Sequence, residues 1–217
     1  MIRLLDLFAG RLGWSKAFLE RGWDVVAIDL VLPSIEIPAG VDYRLMDILT
    51  LTPDMVREIA PDFICASSPC EQFSVHGLKC FFKDPPYPEF GIRLFNHTRA
   101  LCEASGLPYV MENVRAAEPF VGRAANHVGP FFLWGNAIPP ILPQGIKKEF
   151  RGASGTYMKQ CPADVSQKEW RNRWQAKFER EAGSRKACAG LAATIPPELS
   201  SCVADYAERL LEQRMSA

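Results

Sequence analysis

Short apolar runs alternate with amphipathic segments along the first half of the chain. The first run, over residues 2–8, ends at Ala9-Gly10 and is followed by helical material over 14–21 and a second apolar run over 24–29. The same criteria predict further strands at 41–46, 62–66 and 108–112, and helices at 53–59, with Thr52 as N-cap, and at 92–105. Strands that alternate with helices are typical of parallel pairing. The pattern therefore predicts an α/β fold with an open, doubly wound sheet, whose ligands lie at the carboxyl ends of the strands.

The second half of the chain has a different pattern. Residues 113–146 are rich in Pro and Gly, and their one apolar run, 131–134, predicts a strand. Residues 195–198 (Ile-Pro-Pro-Glu) start a final helix, and its apolar positions recur at helical spacing: Leu199, Val203, Tyr206, Ala207, Leu210 and Leu211. We predict an α/β domain over residues 1–146, a small insertion over 147–190, and a C-terminal part, 191–217, whose helix packs back on that domain.

Composition narrows the class of protein. The chain has 217 residues, of which 48% are hydrophobic, and this excludes disorder as the main state. No apolar run reaches the length of a membrane span and the N-terminus does not resemble a secretory signal, so we expect an intracellular, cytoplasmic protein without membrane contact. None of the seven cysteines has CxxC spacing, which predicts reduced thiols and no metal site.

Charge is unevenly distributed although the formal net charge is zero. Residues 147–190 contain 11 Lys or Arg against 5 Asp or Glu, interleaved with Phe150, Tyr157, Trp170, Trp174 and Phe178. Cations among aromatic side chains suit phosphate contacts and stacking on unpaired bases. The alternative is a solvated amphipathic helix over 164–182 with its aromatic side chains in the core.

Polar residues follow each of the first three predicted strands. Gly10 and Gly13 lie in a strand-to-helix turn that allows a ligand close approach to the backbone. Asp29 ends the second strand, where a carboxylate can accept hydrogen bonds from both ribose hydroxyls of a nucleoside, and Asp47-Ile48 could contact adenine. The alternative for these acids is an ordinary loop position. The pattern favours nucleoside binding.

Two reactive side chains follow the fourth and fifth strands. Cys70 lies in a polar loop after strand four, and Glu112 ends strand five. Most free cysteines are inert core residues, but a thiol at the carboxyl edge of a sheet is placed to react. If the two strands are neighbours, as consecutive units usually are, the acid lies beside the thiol.

Three motifs in this order resemble the cytosine-5 DNA methyltransferase family: residues 6–10 (Asp-Leu-Phe-Ala-Gly), 68–74 (Ser-Pro-Cys-Glu-Gln-Phe-Ser) and 112–114 (Glu-Asn-Val). The resemblance covers about residues 1–115 and implies a class I S-adenosylmethionine-dependent methyltransferase fold with S-adenosyl-L-methionine as cofactor. It implies that Phe8, Ala9, Gly10, Gly13, Asp29, Leu30, Asp47, Ile48 and Pro69 bind the cofactor, and that Cys70, Glu112 and Asn113 are catalytic. For the substrate we select Ser74, Arg115, Lys147, Lys148 and Arg151.

The chain also departs from the family pattern. Leu12 stands where a second glycine is usual, and Glu71 where Gln follows the nucleophile. No Gln-x-Arg-x-Arg segment follows residue 114; Arg115 and Arg123 are nearby with different spacing. The late Gly-Asn motif is degenerate over residues 190–197, and the target-recognition region is reduced to 147–190. We therefore expect a short or relaxed target sequence, or specificity supplied by a partner protein.

The resemblance implies methyl transfer to C5 of cytosine in DNA, as in restriction–modification, through a covalent cysteine adduct. The substrate would be a duplex with an extruded base or a single strand, because a buried thiol cannot reach a stacked base. Alternatives are RNA, a free nucleotide or a modified pyrimidine as substrate, and a non-catalytic nucleic-acid-binding protein on the same fold.

Overall fold

The structure is a computed structural model that describes residues 2–33, 35–70, 73, 88–146 and 194–216. Its centre is a seven-stranded sheet in the order β3-β2-β1-β4-β5-β7-β6. The strands are β1 (Arg3–Leu7), β2 (Asp24–Asp29), β3 (Val41–Leu45), β4 (Phe63–Ser67), β5 (Tyr109–Asn113), β6 (Asn126–Val128) and β7 (Phe131–Gly135). The first five pair in parallel, and β7 joins β5 in antiparallel orientation. The prediction of an open, doubly wound α/β sheet is confirmed.

Helices cover both faces of the sheet. They are α1 (Ser15–Leu19), α2 (Pro53–Ile59), α3 (Glu89–Ser105), α4 (Glu118–Val121) and α5 (Pro197–Met215), and short 3-10 turns lie at Ile48–Thr50 and Arg115–Ala117. Local sequence signals explain two of the helix ends. The Thr52 Oγ1 accepts a hydrogen bond from the Met55 N–H and so caps α2, and Gly106 ends α3 in a left-handed conformation. No helix of the described residues is long and apolar enough to cross a membrane.

Alternation along each strand divides the core into two layers. Leu4, Val25, Phe63 and Val110 face α1 and α5, whereas Leu5, Ile28, Ile64 and Met111 face the layer of α2 and α3. Most of these side chains are fully buried, since both faces of a parallel sheet are covered.

The final helix packs on α1. The Arg21 guanidinium on the loop after α1 lies 2.5 Å from Asp205 of α5, and the buried Ser200 Oγ donates a hydrogen bond of 2.7 Å to the Trp14 carbonyl. Leu199, Val203 and Ala207 are completely buried on the same face of the sheet as Leu4 and Phe63. The last helix is therefore part of the core of the α/β domain.

Strand order reverses between β1 and β4. In such sheets the crevice outside the carboxyl ends of the two strands at the reversal is where ligands bind. The turn after β1 and the turn after β4 border this crevice, and β5 lies beside β4.

Candidate active site

The turn that carries Cys70 is anchored at both ends. Ser68, at its start, is 4% exposed, and Phe73 is 1% exposed and packs in the core on the α2 and α3 side of the sheet. The Phe73 N–H donates to the Cys70 carbonyl at 3.1 Å and so ties these two residues together. Cys70 is half-buried and follows β4 at the crevice.

The end of β5 lies beside this turn. Glu112 pairs with Ser67 in the parallel register of β4 and β5, so the predicted neighbourhood of these two strands is confirmed. Asn113 is completely buried, and its Nδ2 donates to the Ser68 carbonyl at 2.9 Å and to the Ser68 Oγ at 3.0 Å. The Asn113 Oδ1 accepts a hydrogen bond of 2.8 Å from the Val114 N–H. One amide side chain therefore ties the turn that carries Cys70 to the strand that carries Glu112.

The Glu112 side chain projects to the opposite face of the sheet from Asn113. It is 8% exposed and lies between Ser67 on one neighbouring strand and Leu133 on the other. The Ser67 Oγ accepts a hydrogen bond of 2.9 Å from the Trp14 Nε1–H. This acid therefore belongs to the wall of the crevice formed with the turn before α1.

The turn after β1 has an unusual backbone. Phe8, Gly10 and Leu12 have φ angles of 59°, 49° and 60°, in the left-handed region that favours glycine. Leu12 nevertheless holds this conformation because its side chain is 1% exposed and packs against the core layer of α1. The position at which the sequence lacks an expected glycine is thus one where a glycine would be unstrained.

Asp29 closes the same turn. The Asp29 Oδ2 accepts a hydrogen bond of 2.9 Å from the Gly10 N–H, and its Oδ1 accepts one of 3.3 Å from the Val31 N–H. The half-buried carboxylate keeps further lone pairs, since each oxygen can accept more than one hydrogen bond. Leu30, which follows it, is 63% exposed and offers an apolar surface beside the crevice.

Residues 194–196, just before α5, pack against the turn over residues 8–13. A Cβ atom at Gly13 would lie 2.8 Å from the Ile195 backbone nitrogen, so residue 13 must be a glycine for the two segments to pack. Ile195 is 4% exposed and belongs to the core layer that contains Ala9 and Leu12. Residues 194–196 therefore lie directly against the turn.

Asp6 is a buried acid that the sequence analysis does not single out. It is 1% exposed on β1, and its Oδ2 accepts a hydrogen bond of 2.5 Å from the Ser15 Oγ–H. Burial raises the pKa of Asp6 to about 7, and the nearby Asp29 carboxylate adds to the increase. The Asp6 carboxyl group therefore titrates near neutral pH, close to the turn over residues 8–13.

The remaining predicted site residues are divided between the crevice and the part of the chain outside the described residues. The Asp47 Oδ1 caps the turn over 48–50 by accepting from the Leu49 N–H, and Ile48 is 1% exposed within the core. Pro69 is exposed next to Cys70, and Arg115 is exposed just after β5. Ser74, Lys147, Lys148 and Arg151, together with the predicted helix at 164–182, lie outside the described residues.

Comparison with known proteins decides the family. The sequence profile of the C-5 cytosine-specific DNA methylases matches residues 2–119, which is more than half of the chain. The chain belongs to the C-5 cytosine-specific DNA methylase family. No curated protein matches the chain.

One solved structure supports the fold of this family member. The Dnmt2 methyltransferase of S. pombe is 12% identical, with full coverage of both chains and a TM-score of 0.51. A triple mutant of Spodoptera frugiperda DNMT2 is 22% identical with a TM-score of 0.36, and the match covers 55% of this chain and 37% of that one. This chain therefore spans little more than a third of the length of the insect protein. The fold is that of the class I S-adenosylmethionine-dependent methyltransferases.

The methyl donor of the family is S-adenosylmethionine, and the crevice fits it. The Asp29 carboxylate at the end of β2 is a suitable acceptor for ribose hydroxyls, and the exposed Leu30 beside it can pack against a flat base. The turn over residues 8–13 brings backbone rather than bulky side chains to the same crevice. Among the described residues, no cluster of His, Cys, Asp and Glu could hold a metal ion.

The structure adds elements that sequence reasoning missed. β6 has three residues, Asn126–Val128, and α4 has four, so neither is long enough to show a periodic pattern. The core position of Phe73 was not predicted either, although an aromatic residue three positions after the cysteine is a signal for such an anchor.

Proposed function

We propose that this chain transfers a methyl group from S-adenosylmethionine to C5 of cytosine in DNA, through a covalent bond to Cys70. The observation that supports this most directly is the pair of hydrogen bonds from Asn113 to Ser68. They hold the turn that carries Cys70 against the strand that carries Glu112, so that a thiol and an acid border one crevice.

The chemistry requires both side chains. C5 of cytosine is a weak nucleophile, so the Cys70 thiolate first adds to C6 and its electron pair raises the electron density at C5. Glu112 in its acid form donates a proton to N3 and so neutralises the negative charge that develops in the ring. S-adenosylmethionine, when bound, supplies the electrophilic methyl group. Loss of the C5 proton to a base then expels the Cys70 thiolate and restores the 5,6 double bond, and N3 returns its proton to Glu112.

Other residues bind rather than react. Asp29 holds the ribose of the cofactor, while Phe8, Leu30 and Asp47 border the adenosine. Ala9, Gly10, Gly13 and Pro69 border the reacting end of the crevice. In the basic segment, Lys147, Lys148 and Arg151 contact phosphates, as the charge balance of residues 147–190 favours. The methylated site belongs to DNA, as in restriction–modification, with the base extruded from a duplex or presented by a single strand.

One experiment tests both the reaction and the substrate. The full chain is incubated with methyl-labelled S-adenosylmethionine and the same nucleotide sequence as duplex DNA, single-stranded DNA and RNA, and separately with dCMP. We expect label at cytosine C5 in DNA, loss of turnover in Cys70→Ser, and normal turnover in Cys202→Ser, which changes a partly buried thiol on α5. Label in RNA or dCMP alone would replace DNA as the substrate, and no label in any arm would contradict the reaction.

A further inference from the structure

The chain between β5 and β6, residues 114–125, starts at the carboxyl edge of the sheet directly after Glu112 and Asn113 and leads to β6, which runs parallel to β5 because both strands pair antiparallel with β7. We name it the 114–125 connection. Its exposed side chains include Arg115, Phe120 and Arg123. Glu118 is the single acidic residue between positions 113 and 146, and its Oε1 accepts a hydrogen bond of 3.1 Å from the Ala124 N–H. The surface of the connection is therefore cationic and aromatic.

Its two arginines differ from most others in the described part of the chain. The side chains of Arg115 and Arg123 make no hydrogen bond, ion pair or ring contact with the described residues, and both are exposed. By contrast, arginines elsewhere pair with carboxylates or donate to carbonyl groups: Arg3, Arg21, Arg44, Arg57 and Arg99. The guanidinium groups of Arg115, next to the end of β5, and of Arg123, just before β6, are thus available to an anion.

An exposed aromatic ring lies between these arginines in the sequence. Phe120 is 44% exposed, and its ring centroid is 6.1 Å from that of the buried Phe73. The Phe73 N–H donates to the Cys70 carbonyl, so the Phe120 ring lies next to the turn that carries Cys70. A ring supported on one side and open on the other is suited to stack on a base.

The backbone beneath these side chains is held in place from two sides. The Val121 carbonyl accepts a hydrogen bond of 2.6 Å from the Arg99 Nη2, and the Gly122 carbonyl accepts one of 2.9 Å from the Trp134 Nε1. Ala117 and Val121 are buried in the core. Binding at this surface therefore requires little ordering of the backbone.

We propose that the 114–125 connection binds the nucleic-acid strand beside the target cytosine, with Arg115 and Arg123 on phosphates and Phe120 stacked on the adjacent unpaired base. This inference rests on the proposed function, since it assumes a polymeric cytosine substrate. The connection then provides the cationic contacts that the sequence lacks in the arginine spacing usual for the family. Its charge and its open ring are complementary to a single strand, in which phosphates and base faces are both accessible.

Fluorescence anisotropy with a labelled single-stranded oligonucleotide containing one cytosine tests this proposal without turnover. In R115Q/R123Q, we expect the slope of log affinity against log salt to fall by about 1.4, because each lost contact on a single strand contributes about 0.7. R214Q, which changes an exposed arginine at the end of α5, is the matched control and should behave as wild type.

Phe120 is tested separately. Phe120→Ala should weaken binding about tenfold, within the range for base–aromatic stacking, and Phe120→Leu should weaken it similarly while it keeps the apolar contact with Phe73. On oligonucleotides with an abasic position on one or the other side of the cytosine, the loss caused by Phe120→Ala should disappear for one side. Thermal melting of each variant identifies any effect that comes from unfolding.

The outcomes separate this proposal from the proposed function. If the wild type methylates cytosine and the charge and Phe120 variants bind with unchanged affinity and salt slope, the 114–125 connection is not the strand-binding surface and only this inference fails. If the wild type binds no oligonucleotide but methylates dCMP, both this inference and the DNA substrate fail. A loss of affinity in the folded variants, cancelled on one abasic oligonucleotide, supports the inference.

Discussion

At the scale of one residue, the buried Asn113 amide holds the turn that carries Cys70 in position. Asn113→Ala removes two donors to Ser68 and leaves buried acceptors without partners, which costs about 1 to 3 kcal/mol for each unsatisfied group. We expect lower stability together with a fall in turnover of tenfold or more, because the Cys70 turn loses its tie to β5.

The matched control for this change is Asn136, which follows β7 and contacts the start of β5. Asn136 accepts from the Tyr109 N–H at 2.8 Å and donates to the Leu107 carbonyl at 3.1 Å. Asn136→Ala should lower stability in urea unfolding but leave turnover per folded molecule unchanged. Equal losses of turnover in the two variants would remove the positioning role of Asn113.

Asp29 should contribute to cofactor affinity rather than to the shape of its turn. Asp29→Asn keeps an oxygen for the Gly10 N–H but removes the charge that strengthens hydrogen bonds from ribose hydroxyls. We expect calorimetry to show affinity for S-adenosylmethionine weakened by about 1.5 kcal/mol or more, with the melting temperature nearly unchanged. Asp42→Asn, at an exposed position on β3, is the control. Normal affinity in Asp29→Asn would move the ribose elsewhere.

Asp6 should make the stability of the fold depend on pH. Because burial raises the pKa of Asp6 from 3.8 to about 7, the folded state holds this proton more tightly than the unfolded state. The contribution of Asp6 to the free energy of unfolding therefore falls as pH rises from about 4 to about 7, and then levels off, by a total on the order of 4 kcal/mol.

Urea unfolding of wild type and Asp6→Asn at several pH values between 5 and 8 measures this effect. The Asn side chain stays neutral and can still accept from the Ser15 hydroxyl, so the variant should become the more stable of the two as pH rises. Parallel stability curves across this range would mean that Asp6 ionises with little cost inside the fold.

At the scale of elements, the contact between residues 194–196 and the turn over residues 8–13 should be sensitive to added side-chain volume. Gly13→Ala places a methyl group 2.8 Å from the Ile195 backbone nitrogen, so one of the two segments must move. We expect a loss of about 1 to 3 kcal/mol in stability, typical of overpacking, and weaker binding of S-adenosylmethionine because the turn shifts.

A second glycine provides the control for Gly13→Ala. Gly22 has a φ of 77° and no atom within 4 Å of its Cβ position, and Asn tolerates this conformation, so Gly22→Asn should change stability by a few tenths of a kcal/mol. Cofactor affinity that is unchanged in Gly13→Ala would show that the C-terminal segment does not shape the cofactor crevice.

Much of the element pattern could be predicted from the sequence because parallel strands covered on both faces are continuous apolar runs. Val25 to Ile28 and Phe63 to Ala66 are examples, and both runs are buried. β6 could not be predicted, since Asn126 and His127 show no strand pattern and the pairing of β6 depends on β7, with His127 stacked on Phe132. The edge of the sheet was set by tertiary contacts rather than by local propensity.

The site was predictable to the extent that motifs mark strand ends. Cys70 and Glu112 could be placed together because β4 and β5 are neighbours. The ties that hold them could not be read from the chain. Asn113 to Ser68 and Trp14 to Ser67 are side-chain hydrogen bonds over 45 and 53 positions of sequence, and no local pattern specifies such a pairing.

At the scale of the whole molecule, one strand-order reversal gathers the candidate site. The turn over residues 8–13 follows β1, the turn that carries Cys70 follows β4 and Glu112 ends β5, so three neighbouring strands of the sheet present their carboxyl ends to one crevice. The 114–125 connection starts at this edge and leads to β6, and residues 194–196 pack against the turn over residues 8–13.

A trapped adduct tests the central claim most directly, namely that Cys70 bonds to the cytosine ring during methyl transfer. In an oligonucleotide with 5-fluorocytosine at the target position, fluorine cannot leave as the C5 proton does, so the chain should remain covalently bound once the methyl group is transferred. Mass spectrometry should find the adduct on Cys70 in the wild type and in Cys202→Ser, only with S-adenosylmethionine present, and not in Cys70→Ser. An enzyme that methylates ordinary cytosine but forms no adduct with 5-fluorocytosine, or forms it on another residue, would contradict the account.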